Sequence, residues 1–147
     1  MRKFIAAIGI AGLTAAAMPA SGHAAGGATG AVLLPTLDAT PCTADLTVPN
    51  CESDGYGAAA TLKIGRANYL GFDLSNLLAG QTYLAANNDV GLESCAGVLT
   101  SFVTGPAGGQ NFSVPVASAA DFVSICREVD GVLVPILTGQ MGRLNGR

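Results

Sequence analysis

The sequence has few of the residues on which most enzymes and metal sites depend. It contains no tryptophan and a single histidine, His23. His23 lies within the first 24 residues, a segment that we expect to be removed on export. Without it, the chain cannot use Ser-His-Asp or Cys-His catalysis or an ordinary zinc-hydrolase site. The sequence therefore predicts a protein without enzymatic activity.

Residues 1–24 have the three-part layout of a secretory signal peptide. Two basic residues come first, an uncharged apolar run extends from Phe4 to about Met18, and small residues precede the expected cleavage after Ala24. The apolar run is shorter than the ~20 residues that a membrane span needs. We therefore predict export to the periplasm or the extracellular space. Removing 24 of the 147 residues would leave 123.

Charge is also scarce after the leader. Five basic and ten acidic residues remain, so 15 of 123 residues are charged, well below the ~25% typical of soluble proteins. The basic residues are scattered, which argues against a nucleic-acid partner. No second apolar stretch is long enough to span a membrane, because Pro135 interrupts the best one, Val132–Leu137.

Strands with so few charges are poorly protected against pairing with another chain. The two segments that best fit such contact strands are Ala31–Leu34 and Val132–Leu137. The alternative is that both are ordinary core strands, with Pro135 marking an edge or a bulge.

All four cysteines lie after the leader, at positions 42, 51, 95 and 126. An even number of cysteines in an exported chain predicts two disulfides. Four cysteines allow three pairings, of which we favour Cys42–Cys51 and Cys95–Cys126. The first pair flanks a Pro-Asn turn, and the second would join two strand-like segments. A zinc site is disfavoured because the chain has no C-x-x-C motif.

Alternation of side chains with a period of two dominates the rest of the chain and predicts strands. A helix is an alternative for 117–127, but the β-prone residues there lead directly into a hairpin turn at Asp130-Gly131. This pattern fits an antiparallel sandwich or a small barrel, and of the two we predict an all-β, antiparallel β-sandwich of about seven strands. The alternating segments are 58–64, 69–74, 82–87, 95–104, 112–116, 121–129 and 132–138.

These segments predict four regions along the chain. After the leader, 25–56 is expected to be an N-terminal arm and a disulfide loop. Residues 57–138 form the β-sandwich core, and 139–147 form a flexible tail. In 58–64 the alternation places Ala58, Ala60, Leu62 and Ile64 on one face and Lys63 on the other, polar face.

The run Leu-Ser-Asn-Leu-Leu-Ala-Gly-Gln-Thr-Tyr at 74–83 resembles the E–F corner of fibronectin type III and related immunoglobulin-like domains. In that corner a tyrosine hydroxyl bonds back to the chain. The resemblance implies that Leu77 is a core residue, that Gly80 makes the bend and that Tyr83 supplies the hydroxyl. It also implies an immunoglobulin-like sandwich similar to small exported bacterial domains of unassigned function, and it identifies no binding residues.

Two loops combine oxygen ligands with a glycine, as calcium sites do. They are Glu52-Ser53-Asp54-Gly55 and Asn87-Asn88-Asp89-Val90-Gly91. Neither follows the EF-hand pattern, so the sequence leaves calcium open while predicting no metal or other cofactor. A glycoside hydrolase that needs no histidine also stays open, because two carboxylates are sufficient for that reaction. Its candidate acids are Asp73, Asp89, Glu93 and Asp121.

These patterns together favour a structural or adhesive protein of the cell surface or periplasm. It would associate with itself or with a cell-surface protein or glycan. The alternative function is a monomeric extracellular binding module that recognises a glycan or protein through its loops, in particular 50–57 and 87–94.

Overall fold

The structure, a computed structural model, describes residues 29–42 and 51–143. The predicted signal peptide 1–24, the Pro-Asn turn within 43–50 and the last four residues of the predicted tail lie outside the described residues.

The described chain is built from β-strands, as predicted, and contains no helix. Asp130-Gly131 joins β7 to β8 with positive φ at both residues, the hairpin turn expected from the sequence. The strands are β1 Thr29–Pro35, β2 Tyr56–Ile64, β3 Ala67–Ser75, β4 Thr82–Asn88, β5 Val98–Val103, β6 Gln110–Val116, β7 Phe122–Val129, β8 Val132–Gln140 and β9 Gly142–Arg143.

Eight of these strands form one antiparallel sheet in the order β5-β4-β7-β8-β1-β2-β3-β6. We call β1-β2-β3-β6 the first half-sheet and β5-β4-β7-β8 the second. The two end strands approach each other, since the rings of Phe102 and Phe112 lie 4.7 Å apart and the side chain of Gln110 donates to the carbonyl of Val103. The sheet is therefore curled into a nearly closed barrel, and the predicted immunoglobulin-like sandwich is not confirmed, because β1 pairs with both β8 and β2 and joins the two halves into one sheet.

The predicted number of about seven strands was wrong, because the sequence assigned β1 to an arm outside the core. In the structure β1 lies in the middle of the sheet, between β8 and β2. Its inward residues Ala31 and Leu33 are buried, but its outward residues Val32 and Leu34 are apolar too. The strand therefore shows no alternation that a pattern search would find.

The predicted flexible tail begins too early as well. Strand β8 continues to Gln140, and Gly142–Arg143 form a short strand of their own. The glycine at 139 is a residue type that favours a loop in a sequence pattern. Its lack of a side chain is what the packing needs, because a Cβ there would lie 2.4 Å from the Val32 carbonyl oxygen and 2.9 Å from the Leu33 side chain.

The core lies inside the barrel and receives side chains from both half-sheets. Leu70, Phe72 and Leu74, which the alternation placed on one face of β3, are all buried there. The rings of Phe72 and Phe112 stack with their centroids 4.9 Å apart. The cysteines pair as favoured from the sequence, Cys42 with Cys51 and Cys95 with Cys126.

Candidate functional site

The outward side of the first half-sheet exposes an unusual amount of apolar surface, and we call it the bare face. Five large apolar side chains on it are between 43% and 69% exposed. Val32 pairs with Ala58 and Leu34 lies beside Tyr56 at one end of β2, and the outward row continues through Ala60 to Leu62 and Ile64 at the other end. A contiguous apolar area of this kind marks an interaction surface more often than chance. Its large residues are Val32, Leu34, Tyr56, Leu62 and Ile64.

The sequence grouped Ala58, Ala60, Leu62 and Ile64 on one face of β2, and the structure shows that this face is turned to solvent. The inward positions are held by small residues, among them Ala59, which is 2% exposed. The more apolar face of the strand is thus the outer one. Lys63, predicted to be solvated, is exposed at the end of the hairpin.

Strand β3 contributes the only charge among the outward side chains of the bare face's paired strands, at Asp73. Partial burial raises the pKa of this carboxyl group above its ordinary value. Gly71 is the next outward residue of β3. A Cβ atom at position 71 would lie only 2.9 Å from the Leu62 side chain, so the glycine leaves room for that side chain. The centre of the bare face is therefore formed by small residues.

The outward side of the second half-sheet is different, because a loop covers part of it. Residues 89–97, which we call the cover loop, connect β4 to β5. The disulfide Cys95–Cys126 ties this loop to β7, and the backbone N–H of Glu93 donates to Oγ1 of Thr138 on β8 at 3.0 Å. As a result, three outward-facing residues of this half-sheet have no exposed surface: Ala86, Ser124 and Cys126.

Polar residues of the segment 87–91, which suggested calcium binding, form hydrogen bonds within the fold. Oδ1 of Asn88 accepts hydrogen bonds from the N–H groups of Val90 and Gly91, and Oδ1 of Asp89 accepts one from the N–H of Asp121. The contacts of Asn88 are those of an Asx turn.

The other loop considered for calcium provides no acidic cluster either. In the described part of the chain, one group of three metal-ligating residue types occurs, Cys42, Cys51 and Asp54. Its two sulfur atoms form a disulfide, so they are not available as thiolate ligands. The neighbouring Glu52 points into the protein.

Glu52 is fully buried and forms an ion pair with Arg127 of β7. Arg127 binds the carboxylate with two nitrogens, Nη2 to Oε1 and Nε to Oε2, each at 2.8 Å. The Tyr83 hydroxyl donates to Oε2 at 2.6 Å, and the Thr40 N–H donates to Oε1 at 2.9 Å. Each carboxylate oxygen thus accepts two hydrogen bonds.

The hydrogen bonds to Glu52 favour the ionised form of its carboxyl group. Burial by itself raises the pKa of Glu52, but the hydrogen bonds from Arg127, Tyr83 and Thr40 outweigh it and hold the pKa below its ordinary value. Burial, followed by the bond to Glu52, raises the pKa of the Tyr83 hydroxyl strongly. A carboxylate with four donors has no free position to act as a base, so this cluster connects parts of the fold.

Sequence reasoning missed the pairing of Glu52 with Arg127, although a signal was present. Alternation in β7 placed Arg127 on the same side as Val123 and Ile125, which are core residues. An arginine on an apolar strand face requires a buried partner. Each partner also follows a disulfide cysteine in sequence, Cys51 before Glu52 and Cys126 before Arg127.

The segment 74–83, whose sequence resembles the E–F corner, forms the bend between β3 and β4. Leu77 is fully buried, and Gly80 has a φ of 64° at the bend. The Tyr83 hydroxyl accepts a hydrogen bond from the backbone N–H of Leu78 at 3.1 Å. This tyrosine therefore links its own corner to the buried carboxylate of Glu52.

The structure separates other residues that the sequence analysis had grouped. Loop 50–57 precedes β2 and loop 87–94 follows β4; because β2 and β4 run in the same direction, the loops lie at opposite ends of the barrel. Among the candidate acids, Asp89 lies beside Asp121, whereas Asp73 stands on the bare face of the other half-sheet.

Comparison of the chain with models of protein families, with curated proteins and with solved structures found no match. Within residues 29–42 and 51–143, no helix has the length and apolar character needed to cross a membrane. A functional argument must therefore start from the surface of the chain itself.

Proposed function

We propose that this chain is an exported structural or adhesive protein of the cell surface or periplasm. It acts without catalysis, through contacts made by the bare face. The observation that carries this proposal is the difference between the two outer faces: a disulfide-bonded loop covers part of one, where Val98 and Val103 of the end strand stay exposed, and the other leaves five large apolar side chains in solvent.

The energetics of the bare face support a contact role. Full burial of one Val, Leu or Ile side chain is worth about 1.5–3 kcal/mol. Because these five side chains are roughly half exposed, a partner that covered them would gain on the order of 1 kcal/mol from each. The sum of about 5 kcal/mol offsets only the low end of the ~4–15 kcal/mol that association costs, so a partner must also cover the small residues between these side chains.

The covalent structure supports export. Two disulfides are typical of proteins that fold in an oxidising compartment. The contact between Tyr83 and Leu78 supports a relationship to immunoglobulin-like modules, many of which are cell-surface domains. The low charge of the chain suits a protein that packs against neighbours in a wall or matrix.

Retention at the cell envelope tests this proposal. We expect the exported wild-type chain to remain in the envelope fraction and the double variant Val32→Lys, Leu62→Lys to be released. The control is Val90→Lys, because Val90 is 75% exposed but belongs to the cover loop. Release of the control together with the face variant, or retention of both, would show that the bare face is not the contact surface.

A further inference from the structure

We propose that the partner of the bare face is a second copy of this chain, packed face to face across a two-fold axis with the strands of the two copies antiparallel. This inference rests on the proposed contact role of the bare face. It adds the identity of the partner and the geometry of the contact.

The charges along the bare face differ between its two ends. Arg66 lies at the tip of the β2–β3 hairpin, and Asp73 lies seven residues beyond it, toward the other end of β3. At ~3.3 Å per residue, this separation is about 23 Å. Neither side chain has an ion-pair partner among the residues that the structure describes. The face thus has a cationic end and an anionic position with nothing to neutralise either.

A two-fold contact brings the same surface of both copies together, so every contact occurs twice. With antiparallel strands, the hairpin tip of each copy lies over Asp73 of the other. With parallel strands, like ends of the two faces would coincide, hairpin tip at hairpin tip and Asp73 at the level of Asp73, and such juxtaposed like charges oppose association. The charge pattern therefore selects the antiparallel arrangement.

The shape of the face selects the same arrangement. If Arg66 and Asp73 of opposite copies are to meet, the axis must cross β3 midway between them, near Tyr69 and Leu70. In that position Ile64 of one copy lies over the small residues Ala58 and Ala60 of the other, by the register of β2 and β3. A protruding apolar side chain then enters a shallow region.

The size of the face is also suitable. Four strands at ~4.8 Å spacing and up to nine residues long cover roughly 15–20 Å by 30 Å. This extent is of the order of the ~800 Å² that each partner buries in a standard protein interface.

The first experiment measures mass by light scattering over a concentration series, with the oxidised protein exported from the full-length chain. We expect a concentration-dependent shift to twice the mass of one chain. Leu62→Lys should weaken association at least tenfold, whereas Val90→Lys on the cover loop should leave it unchanged. A monomer at all concentrations, or equal effects of the two variants, would overturn the inference.

The second experiment exchanges the charges. Arg66→Glu alone places an introduced carboxylate opposite Asp73, and Asp73→Lys alone places an introduced ammonium group opposite Arg66, so each homodimer should weaken several-fold. In a mixture of the two single variants, the introduced carboxylate meets the introduced ammonium group and Arg66 meets Asp73. Association should then return to the wild-type level. A mixture no stronger than its components would overturn the antiparallel geometry.

The two proposals fail in different ways. If the wild-type chain stays monomeric while its envelope retention still depends on Val32 and Leu62, the second copy is excluded and the contact role stands. If neither retention nor association responds to the face variants, both proposals fail. Circular dichroism and the unfolding midpoint of each variant show whether it folds.

Discussion

The two half-sheets of this barrel differ in how far their outer faces are covered by other parts of the chain. On the second half-sheet the cover loop lies over part of the outer face, so that Ala86, Ser124 and Cys126 have no exposed surface, while Val98 and Val103 of the end strand β5 are 44% and 53% exposed. The first half-sheet has larger and more apolar outward residues, yet no described segment covers them. This difference in coverage is the basis of the contact role that we propose for the bare face.

The contrast also concerns how each outer face is held in place. The covered face depends on one disulfide and on several side chains that bond to loop backbone, including Asn88 and Thr138. The bare face depends only on the ladder between its strands and on the core beneath it. Substitutions at equivalent outward positions should therefore have very different effects on the two faces.

The largest expected effect comes from opening the cover. Replacing Cys95 and Cys126 together by Ala removes a closure between residues 31 apart, which the chain-entropy model values at about 3.5 kcal/mol. The matched control, Cys42 and Cys51 to Ala, removes a closure of nine residues, worth about 2.5 kcal/mol. Denaturant unfolding measures both, and a larger loss for the shorter closure would contradict the importance of the cover.

Overpacking beneath the cover should give the next largest effect. Ala86→Leu forces a larger side chain under the cover loop and should cost about 1–3 kcal/mol in the free energy of unfolding. Ala58→Leu makes the same change on the bare face and should stay within about 0.5 kcal/mol. Thermal unfolding of the pair is sufficient, and equal losses would mean that the cover loop does not pack as described.

A smaller effect is expected from one hydrogen bond that holds the cover. Thr138→Val removes the acceptor for the Glu93 N–H and should cost about 1 kcal/mol. Amide hydrogen exchange at Glu93 should accelerate as well. Ser113→Ala, an outward change on the bare face, is the control and should be neutral within about 0.5 kcal/mol. Unchanged exchange at Glu93 would show that Thr138 does not hold the cover loop in place.

The smallest effect concerns pH on the bare face. Because the pKa of Asp73 is raised in the folded chain, the folded state binds this proton more tightly, and ionisation at neutral pH destabilises the monomer. Asp73→Asn should therefore be slightly more stable near pH 7. This advantage should disappear as the pH falls below the ordinary value of 3.8.

The opposite sign is expected for the buried carboxylate. The pKa of Glu52 is lowered in the fold, so its contribution is complete above the ordinary value of 4.5 and is lost as the pH falls further. Unfolding of dilute wild type, Asp73→Asn and Glu52→Gln across pH measures both signs. If the free energy of unfolding changes with pH in the same way for wild type and Asp73→Asn, the Asp73 carboxyl group is not partly buried.

Much of the fold was open to prediction because its signals are local. Alternation located seven of the strands, and the Asp130-Gly131 dipeptide identified a hairpin from residues that tolerate positive φ. The pairing favoured for the cysteines followed from separation along the chain and from strand pattern. Strand β1 was not predicted from alternation because its outward residues are as apolar as its inward ones.

The candidate site was predicted only in part. The sequence indicates Ala31–Leu34 as a contact segment, and its outward residues Val32 and Leu34 do belong to the bare face. It indicates Val132–Leu137 as well, but Ile136 and Leu137 are core residues between β7 and β1. Alternation shows which residues share a face, and it does not show which face meets solvent.

The order of amino acids was sufficient to define the class of this protein: an all-β, disulfide-bonded chain, low in charge, whose strands and turns are specified by neighbouring residues. Three-dimensional packing was needed to show which face of each strand is covered, that Glu52 meets Arg127 across 75 positions, and that the two polar loops lie at opposite ends. The difference arises because burial is a property of the assembled sheet. The sequence of a strand shows which side chains share a face. The packing of segments distant in sequence decides which of the two faces is buried in the core.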